Sequence, residues 1–119
     1  MMLLIVEDSP LVSRRLQCAF GRLPALETEV ADHLALALER FRTLQPELVV
    51  LDIELPDGNG LDLLLTIKRE RPATQVLMFS NHEFYRQRCT AEGADYFFDK
   101  SGEFETLTST VQSLTEVIP

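Results

Sequence analysis

The hydrophobic pattern of this chain alternates between short apolar runs and longer amphipathic stretches. Apolar runs such as Leu48-Val49-Val50-Leu51 are continuous, which is typical of strands buried on both faces of a parallel sheet. The amphipathic stretches carry apolar residues every three or four positions, as helices do. The pattern predicts strands at residues 3–6, 27–31, 48–51, 75–79 and 96–98. It predicts helices at residues 10–23, 33–44, 61–71, 82–92 and 103–118.

Capping and turn residues mark the ends of these elements. Asp8 or Ser9 is the predicted N-cap of the first helix, and Asp32 is the predicted N-cap of the second. Gly93 is predicted to end the fourth helix, because glycine tolerates the left-handed conformation found there. Residues 56–60, rich in proline, glycine and asparagine, predict a turn before the third helix.

The strict alternation of strands and helices predicts an α/β fold, with a parallel sheet covered by helices on both faces. The 119 residues suit one domain, and we assign residues 1–119 to it. In such sheets ligands bind beyond the carboxyl ends of the strands. The residues that follow each strand are therefore where functional side chains are expected.

Composition narrows the classes of partner. Eleven basic and nineteen acidic side chains give a formal charge of −8, which argues against binding nucleic acid or an anionic membrane surface. No apolar run approaches the roughly 20 residues that span a bilayer. Cys18 and Cys89 are far apart and have no metal-binding neighbours, as expected of free thiols in a reducing cytoplasm. We therefore expect a cytoplasmic protein.

Polar side chains follow four of the predicted strands. Glu7 and Asp8 follow the first, Asp52 the third, Ser80 the fourth and Lys100 the fifth. Because the carboxyl ends of parallel strands share one edge of the sheet, we expect these side chains to lie close together. Taken singly, each also fits a structural role, as a helix cap or a solvated surface residue.

Three neighbouring carboxylates need more positive charge than one lysine supplies. Two like charges about 4 Å apart repel by about 4 kcal/mol at an effective dielectric constant of about 20. Either one carboxyl group is protonated, or a divalent cation is bound, and oxygen ligands suit Mg²⁺ best. A cation beside Asp52, with a lysine and a hydroxyl nearby, is an arrangement for phosphoryl transfer to the aspartate.

These residues resemble the receiver domain of bacterial two-component response regulators. The resemblance covers essentially the whole chain. It rests on residues 6–9 (VEDS), 51–60 (LDIELPDGNG), 79–80 (FS) and 93–100 (GADYFFDK). It implies a flavodoxin-like, doubly wound sheet of five strands in the order 2-1-3-4-5, with five helices.

The resemblance implies a role for each acidic residue. Asp52 would be the phosphoacceptor. Asp8 and Asp52 would bind Mg²⁺ directly and Glu7 through water, while Glu54 would contribute its backbone carbonyl oxygen.

It also implies how a signal would leave the site. Ser80 and Lys100 would hold the phosphoryl group, and Phe97 occupies the position of the family's aromatic switch. The phosphoryl oxygen would draw Ser80 inward, and Phe97 would turn into the space that this opens. The fourth helix, fifth strand and fifth helix, which are the family's usual partner surface, would then repack. Phe97 lacks the hydroxyl group of the commoner tyrosine.

The sequence departs from the family pattern at several positions. Glu7 replaces the commoner aspartate. Ser101 follows Lys100 where many relatives have proline, which leaves open whether that peptide bond is cis or trans. Glu54 and His82 occupy the two loop positions that frame the phosphoryl group, so the lifetime of the phosphoryl group is open.

The leading hypothesis is a phosphorylation-dependent signalling switch. It would accept a phosphoryl group from a sensor histidine kinase or phosphotransfer protein and catalyse only its own phosphorylation and dephosphorylation. It would act through a downstream protein partner, with a homodimer left open, either alone or as part of a longer chain. Two alternatives remain: a docking module of the same fold that works without phosphorylation, and, from Asp52-Ile53-Glu54, a phosphatase with an aspartate nucleophile.

Overall fold

The computed structural model describes residues 1–116. The main sheet contains β1 (Met2–Val6), β2 (Glu27–Ala31), β3 (Leu48–Leu51), β4 (Gln75–Ser80) and β5 (Tyr96–Asp99). The helices are α1 (Pro10–Phe20), α2 (Leu34–Leu44), α3 (Gly60–Glu70), α4 (Arg86–Ala91) and α5 (Phe104–Glu116). Among these residues, no helix has the length and apolar character needed to cross a membrane.

The five strands are parallel and lie in the order β2-β1-β3-β4-β5. In the centre of the sheet, Ile5 lies opposite both Val30 and Val50. This topology confirms the flavodoxin-like fold and the strand order that the resemblance implies. It also brings the carboxyl ends of β1 and β3 side by side, with β4 next to β3.

Each central strand contributes side chains to two cores, one on each face of the sheet. On one face, Leu3 and Ile5 pack in a cluster that includes α1 and α5. On the other face, Leu4 and Val6 pack in a cluster that includes α2, α3 and α4. Because both faces are covered, the central strands β1 and β3 are apolar at every position, which explains their continuous hydrophobic runs.

Most element boundaries lie within one residue of the prediction, but α1 and α4 differ. The first helix ends at Phe20, and the N–H of the following Gly21 donates to the carbonyl oxygen of Gln17 to close its last turn. The predicted helix at 82–92 is instead a 3₁₀ turn at Glu83–Tyr85 followed by the short α4. The hydroxyl of Ser80 accepts the His82 N–H and holds the chain in a turn at that point. Predicted helical residues 117 and 118 lie outside the described part of the chain.

The predicted cap of the second helix is wrong. Asp57, from the loop after β3, accepts hydrogen bonds from the N–H groups of Leu34 (2.7 Å) and Ala35 (3.0 Å). Asp32 instead contacts the ring of His33 through its carboxylate, at 2.7 Å. A residue distant in sequence therefore caps α2, because it satisfies two of the free N–H groups at once.

A small hairpin shapes the loop after β3, where the sequence predicts only a turn. Glu54–Leu55 pairs antiparallel with Gly58–Asn59. The Gly60 N–H then donates to the carbonyl oxygen of Ile53 at 2.6 Å. A Cβ atom at Gly60 would overlap the carbonyl oxygen of Asp52, so only glycine allows this close return of the chain beside Asp52.

Candidate functional site

The three acidic residues predicted from the strand ends lie together in the structure. Glu7 and Asp8 follow β1, and Asp52 follows the adjacent β3. One carboxylate oxygen from each lies within 4.8 Å of the others. Glu7 and Asp52 are only 3 % and 6 % exposed, whereas Asp8 is exposed to solvent. Two carboxylates are therefore held below the surface, with a third at the rim.

Lys100, which follows β5, reaches across the sheet edge to these acids. Its Nζ atom lies 2.6 Å from Oε1 of Glu7 and 2.8 Å from Oδ2 of Asp52. The lysine side chain is 14 % exposed, so little water shields these ion pairs. We call Glu7, Asp52 and Lys100 the charged trio.

Burial and pairing act in opposite directions on the charged trio. Burial raises the pKa of Glu7 above its usual value, and the Lys100 ammonium offsets only part of that rise. Burial alone would lower the pKa of Lys100, but its hydrogen bonds to Asp52 and Glu7 prevail and raise that pKa. One ammonium group thus leaves the three carboxylates with excess negative charge, as the sequence indicated.

The donor set fits a hard divalent cation. Glu7, Asp8 and Asp52 offer only oxygen atoms, which are the ligands that Mg²⁺ prefers. The backbone fixes two of these carboxylates: Ile53 N–H donates to Oδ1 of Asp52 at 2.7 Å, and Ser9 N–H donates to Oε2 of Glu7 at 3.1 Å. The carboxylates are therefore oriented by their own loops.

A cavity of about 380 Å³ opens onto Asp52. Its lining residues are Asp8, Asp52, Glu54, Leu55, Pro56, Asn81, His82 and Lys100. Sequence reasoning did not assign a site role to Leu55, Pro56 or Asn81. Asn81 could have been found because it follows Ser80 directly at the end of β4.

The two framing residues contact each other across the cavity. Oε1 of Glu54 lies 3.0 Å from Nε2 of His82. Glu54 comes from the small hairpin and His82 from the loop after β4. Both side chains line the cavity, and this contact joins the hairpin to the loop after β4.

Ser80 and Phe97 lie deeper than the other predicted site residues. Ser80 is fully buried, and its backbone oxygen accepts the Lys100 N–H at 3.1 Å, which ties the end of β4 to the lysine. Phe97 does not line the cavity. Its ring is 6 % exposed and belongs to the core on the α2, α3 and α4 face.

Ser101, the residue after Lys100, is hydrogen-bonded to Asp99. The Lys100–Ser101 peptide bond is trans. Both the N–H and the hydroxyl of Ser101 donate to Oδ1 of Asp99, at 2.9 and 2.8 Å. The serine therefore stabilises the turn that carries Lys100 from β5 towards α5.

Comparison with known protein families agrees with this arrangement. Residues 3–112 match the family model described as the response regulator receiver domain. The Fimbriae Z protein of Salmonella typhimurium is 29% identical over 114 residues, covering 93% of this chain and 54% of that protein. The probable transcriptional regulatory protein TcrX of Mycobacterium tuberculosis is 32% identical over 96 residues, covering 78% of this chain and 41% of that protein. The chain spans about half or less of these relatives.

Solved structures show the same fold. The signal receiver domain of a DNA binding response regulator from Colwellia psychrerythraea has a TM-score of 0.88 at 23% identity, covering 98% of both chains. The response regulator TrrA from Thermotoga maritima, in complex with Mg²⁺-BeF, has a TM-score of 0.85 at 26% identity, covering 95% of this chain and 97% of that one. The chain belongs to the response regulator receiver domain family of two-component signalling.

Proposed function

We propose that this chain is a phosphorylation-dependent signalling switch in which Asp52 accepts the phosphoryl group. The observation that carries the proposal is that Asp8, Asp52 and Lys100 line one cavity, with the buried Glu7 in contact with Lys100 beside them. A nucleophilic carboxylate, a cation-binding oxygen set and a lysine are the groups that phosphoryl transfer to aspartate needs.

The residues have distinct tasks in this chemistry. A carboxylate oxygen of Asp52 attacks the phosphorus atom, and the bond from phosphorus to the donor nitrogen breaks, so that the imidazole of the donor leaves with the electron pair. Lys100 exchanges its contact with Asp52 for the new phosphoryl oxygens and balances their charge. We propose that the hydroxyl of Ser80, at the end of the neighbouring strand β4, donates to another of these oxygens.

A cation completes the charge balance. We propose that Asp8, Asp52 and Glu7, with the backbone carbonyl of Glu54, hold Mg²⁺ at this site. When bound, Mg²⁺ offsets the negative charge that develops on the phosphoryl oxygens during transfer. The Mg²⁺-BeF complex of TrrA supports this choice of ion.

The donor and the output follow from the family. We propose that a sensor histidine kinase or phosphotransfer protein supplies the phosphoryl group and that a downstream protein reads the face formed by α4, β5 and α5. The chain would catalyse only its own phosphorylation and dephosphorylation. We also propose that residues 1–119 form one receiver domain and act in the cytoplasm, which the free thiols of Cys18 and Cys89 support.

The test is labelling by acetyl phosphate, measured as the mass of the intact protein. We expect the wild type to gain one phosphoryl group with Mg²⁺ and none with EDTA. Asp52→Asn should abolish labelling, and Asp62→Asn, an exposed carboxylate on α3, should not. Undiminished labelling of Asp52→Asn would refute the assignment. Multiple turnover of a small phosphate ester would favour the phosphatase, and a partner affinity unchanged by labelling would favour the docking module.

A further inference from the structure

The carboxylate of Asp57 joins the small hairpin after β3 to the start of α2. Its Oδ1 atom accepts the Leu34 N–H at 2.7 Å, and its Oδ2 atom accepts the Ala35 N–H at 3.0 Å. Each carboxylate oxygen therefore satisfies one of the free N–H groups at the helix end. Asp57 and Leu34 are 23 residues apart in the chain, so the contact links two separate parts of the fold.

The local sequence at the start of α2 supplies no such group. His33, the residue before the helix, makes no capping hydrogen bond through its side chain. The first turn of the helix carries no acidic residue. Because the partial positive charge at a helix N-terminus favours a carboxylate, Asp57 provides what the sequence of α2 itself lacks.

The hairpin that carries Asp57 is too small to keep its shape alone. Its two strands, Glu54–Leu55 and Gly58–Asn59, have two residues each. Pro56 and Asp57 form the turn between them. An isolated two-stranded hairpin is at best marginally stable in water, so the conformation of this one depends on contacts with its surroundings.

The base of the hairpin is fixed beside Asp52. The Gly60 N–H donates to the carbonyl oxygen of Ile53 at 2.6 Å. Leu55 packs in the core on the α2, α3 and α4 face. These contacts hold the base of the hairpin, whereas its turn is held by a different element.

The turn lies against α2. A Cβ atom at Gly58 would come within 2.8 Å of Cδ1 of Leu34, so the hairpin backbone lies directly on the first residue of that helix. The Asp57 carboxylate bonds to the same residue and to the next one. Packing and hydrogen bonding therefore act at one place, and a change of one side chain removes the hydrogen bonds alone.

The hairpin also forms a wall of the cavity at Asp52. Glu54, Leu55 and Pro56 line that cavity. A second cavity, of about 410 Å³, is lined by Asp8, Asp32, His33, Pro56 and Asp57. Because Asp8 and Pro56 line both cavities, a shift of the turn would alter the wall beside the carboxylates that offer oxygen ligands.

We propose that Asp57 is a positioning residue for the cation site. By anchoring the turn on α2, it holds the hairpin where the backbone carbonyl of Glu54 serves as a ligand of Mg²⁺. This inference rests on the proposed function, which assigns Mg²⁺ to this site. Asp57 acts through the hairpin and is not itself a ligand. Because such coupling is reciprocal, bound Mg²⁺ in turn stabilises the contact between Asp57 and the start of α2.

The first measurement is the affinity for Mg²⁺, obtained by titrating isotope-labelled protein and following its amide signals by NMR. The variants are Asp57→Ala and Asp57→Asn, with Asp32→Ala and Asp32→Asn as matched controls. Asp32 is an exposed carboxylate that lines the same second cavity, and it contacts the His33 ring rather than a backbone N–H of α2. The controls therefore report the effect of removing one surface charge, which we expect to be about threefold or less.

Asp57→Ala should weaken Mg²⁺ binding by roughly tenfold, the smaller of the effects that follow when a residue that orients a metal ligand is lost. Asp57→Asn keeps an amide oxygen that can accept one of the two hydrogen bonds, so its affinity should lie between those of Asp57→Ala and the wild type. This variant, compared with Asp32→Asn, carries the test if Asp57→Ala does not fold.

The second measurement is the exchange of the Leu34 and Ala35 amide hydrogens with solvent. Excess Mg²⁺ should slow this exchange roughly tenfold in the wild type and in both Asp32 variants, because linkage requires the same factor in both directions. In Asp57→Ala the exchange should be fast, and Mg²⁺ should not change it. A role confined to the stability of α2 would give no dependence on Mg²⁺.

The outcomes separate this inference from the proposed function. Equal Mg²⁺ affinities in Asp57→Ala and Asp32→Ala, or in Asp57→Asn and Asp32→Asn, would overturn the inference. An exchange rate of the Leu34 and Ala35 amides that Mg²⁺ leaves unchanged in the wild type would also overturn it. Both results leave the proposed function standing, because Mg²⁺ still binds. A wild type whose amide signals around Asp52 do not respond to Mg²⁺ would refute the cation site of the proposed function, and this inference with it.

Discussion

Lys100→Met tests whether the ammonium group of Lys100 offsets a repulsion between the buried carboxylates of Glu7 and Asp52. Methionine has nearly the length of lysine and no charge, so the substitution removes the ammonium with little change in shape. Glu7 and Asp52 are then left buried without their common partner. We expect the free energy of unfolding to fall in the absence of divalent cations.

The size of the loss follows from the distances. Carboxylate oxygens within 4.8 Å of one another repel by roughly 3.5 kcal/mol per pair at an effective dielectric constant of about 20. Removing one partner from a buried ion pair costs about 3–5 kcal/mol. Both routes give a loss of about 3 kcal/mol or more. Mg²⁺ should recover much of this loss, because it replaces the missing positive charge.

The assay is urea unfolding at neutral pH, in EDTA and in excess Mg²⁺, for the wild type, Lys100→Met and Arg88→Gln. The exposed Arg88 control should change stability by less than about 0.5 kcal/mol in either buffer. The stability gained from Mg²⁺ should be larger in Lys100→Met than in the wild type. The reasoning is refuted if Lys100→Met is as stable as the wild type in EDTA. It is also refuted if Mg²⁺ stabilises Lys100→Met no more than it stabilises the wild type.

Two further predictions concern the loop after Asp52. Gly60→Ala should destabilise the protein, although the same change in an ordinary helix position stabilises by about 0.5–1 kcal/mol, because the new Cβ would displace the Asp52 carbonyl; a raised melting temperature would contradict this. Asp57→Asn should lower the melting temperature, since the N–H groups of Leu34 and Ala35 hold the pKa of Asp57 below its usual value. The stability that the ionised Asp57 contributes is present above the pKa that this carboxyl group has in the unfolded chain. It is lost as the pH falls through the lower pKa of the folded state, so the melting temperatures of the wild type and Asp57→Asn should converge in strong acid.

The sheet and the site edge could be predicted because they depend on residues that are close in sequence to each strand. Runs such as 48–51 are apolar at every position, and the first polar residues after them, Glu7, Asp8 and Asp52, must lie at the carboxyl edge of a parallel sheet. Strand order itself came from the resemblance rather than from the pattern. The structure confirms both the fold and the meeting of these side chains.

What the sequence did not predict depends on contacts between distant segments. Asp32 is the nearest capping residue to α2, yet Asp57, which is 23 residues from Leu34, takes the role. Local capping rules cannot see a loop that folds back from another strand. The late start of α4 depends on a side-chain contact instead: the Ser80 hydroxyl accepts the His82 N–H and holds a turn there, and hydrophobic periodicity carries no information about this hydrogen bond.

The burial of the charged trio has a consequence for protein engineering. Replacing a buried ion pair by apolar residues of similar volume is often neutral or stabilising. A triple variant with Glu7→Gln, Asp52→Asn and Lys100→Met should therefore be inactive, and its free energy of unfolding should be at least that of the natural chain. Reactivity at this edge of the sheet therefore comes at a cost in thermodynamic stability.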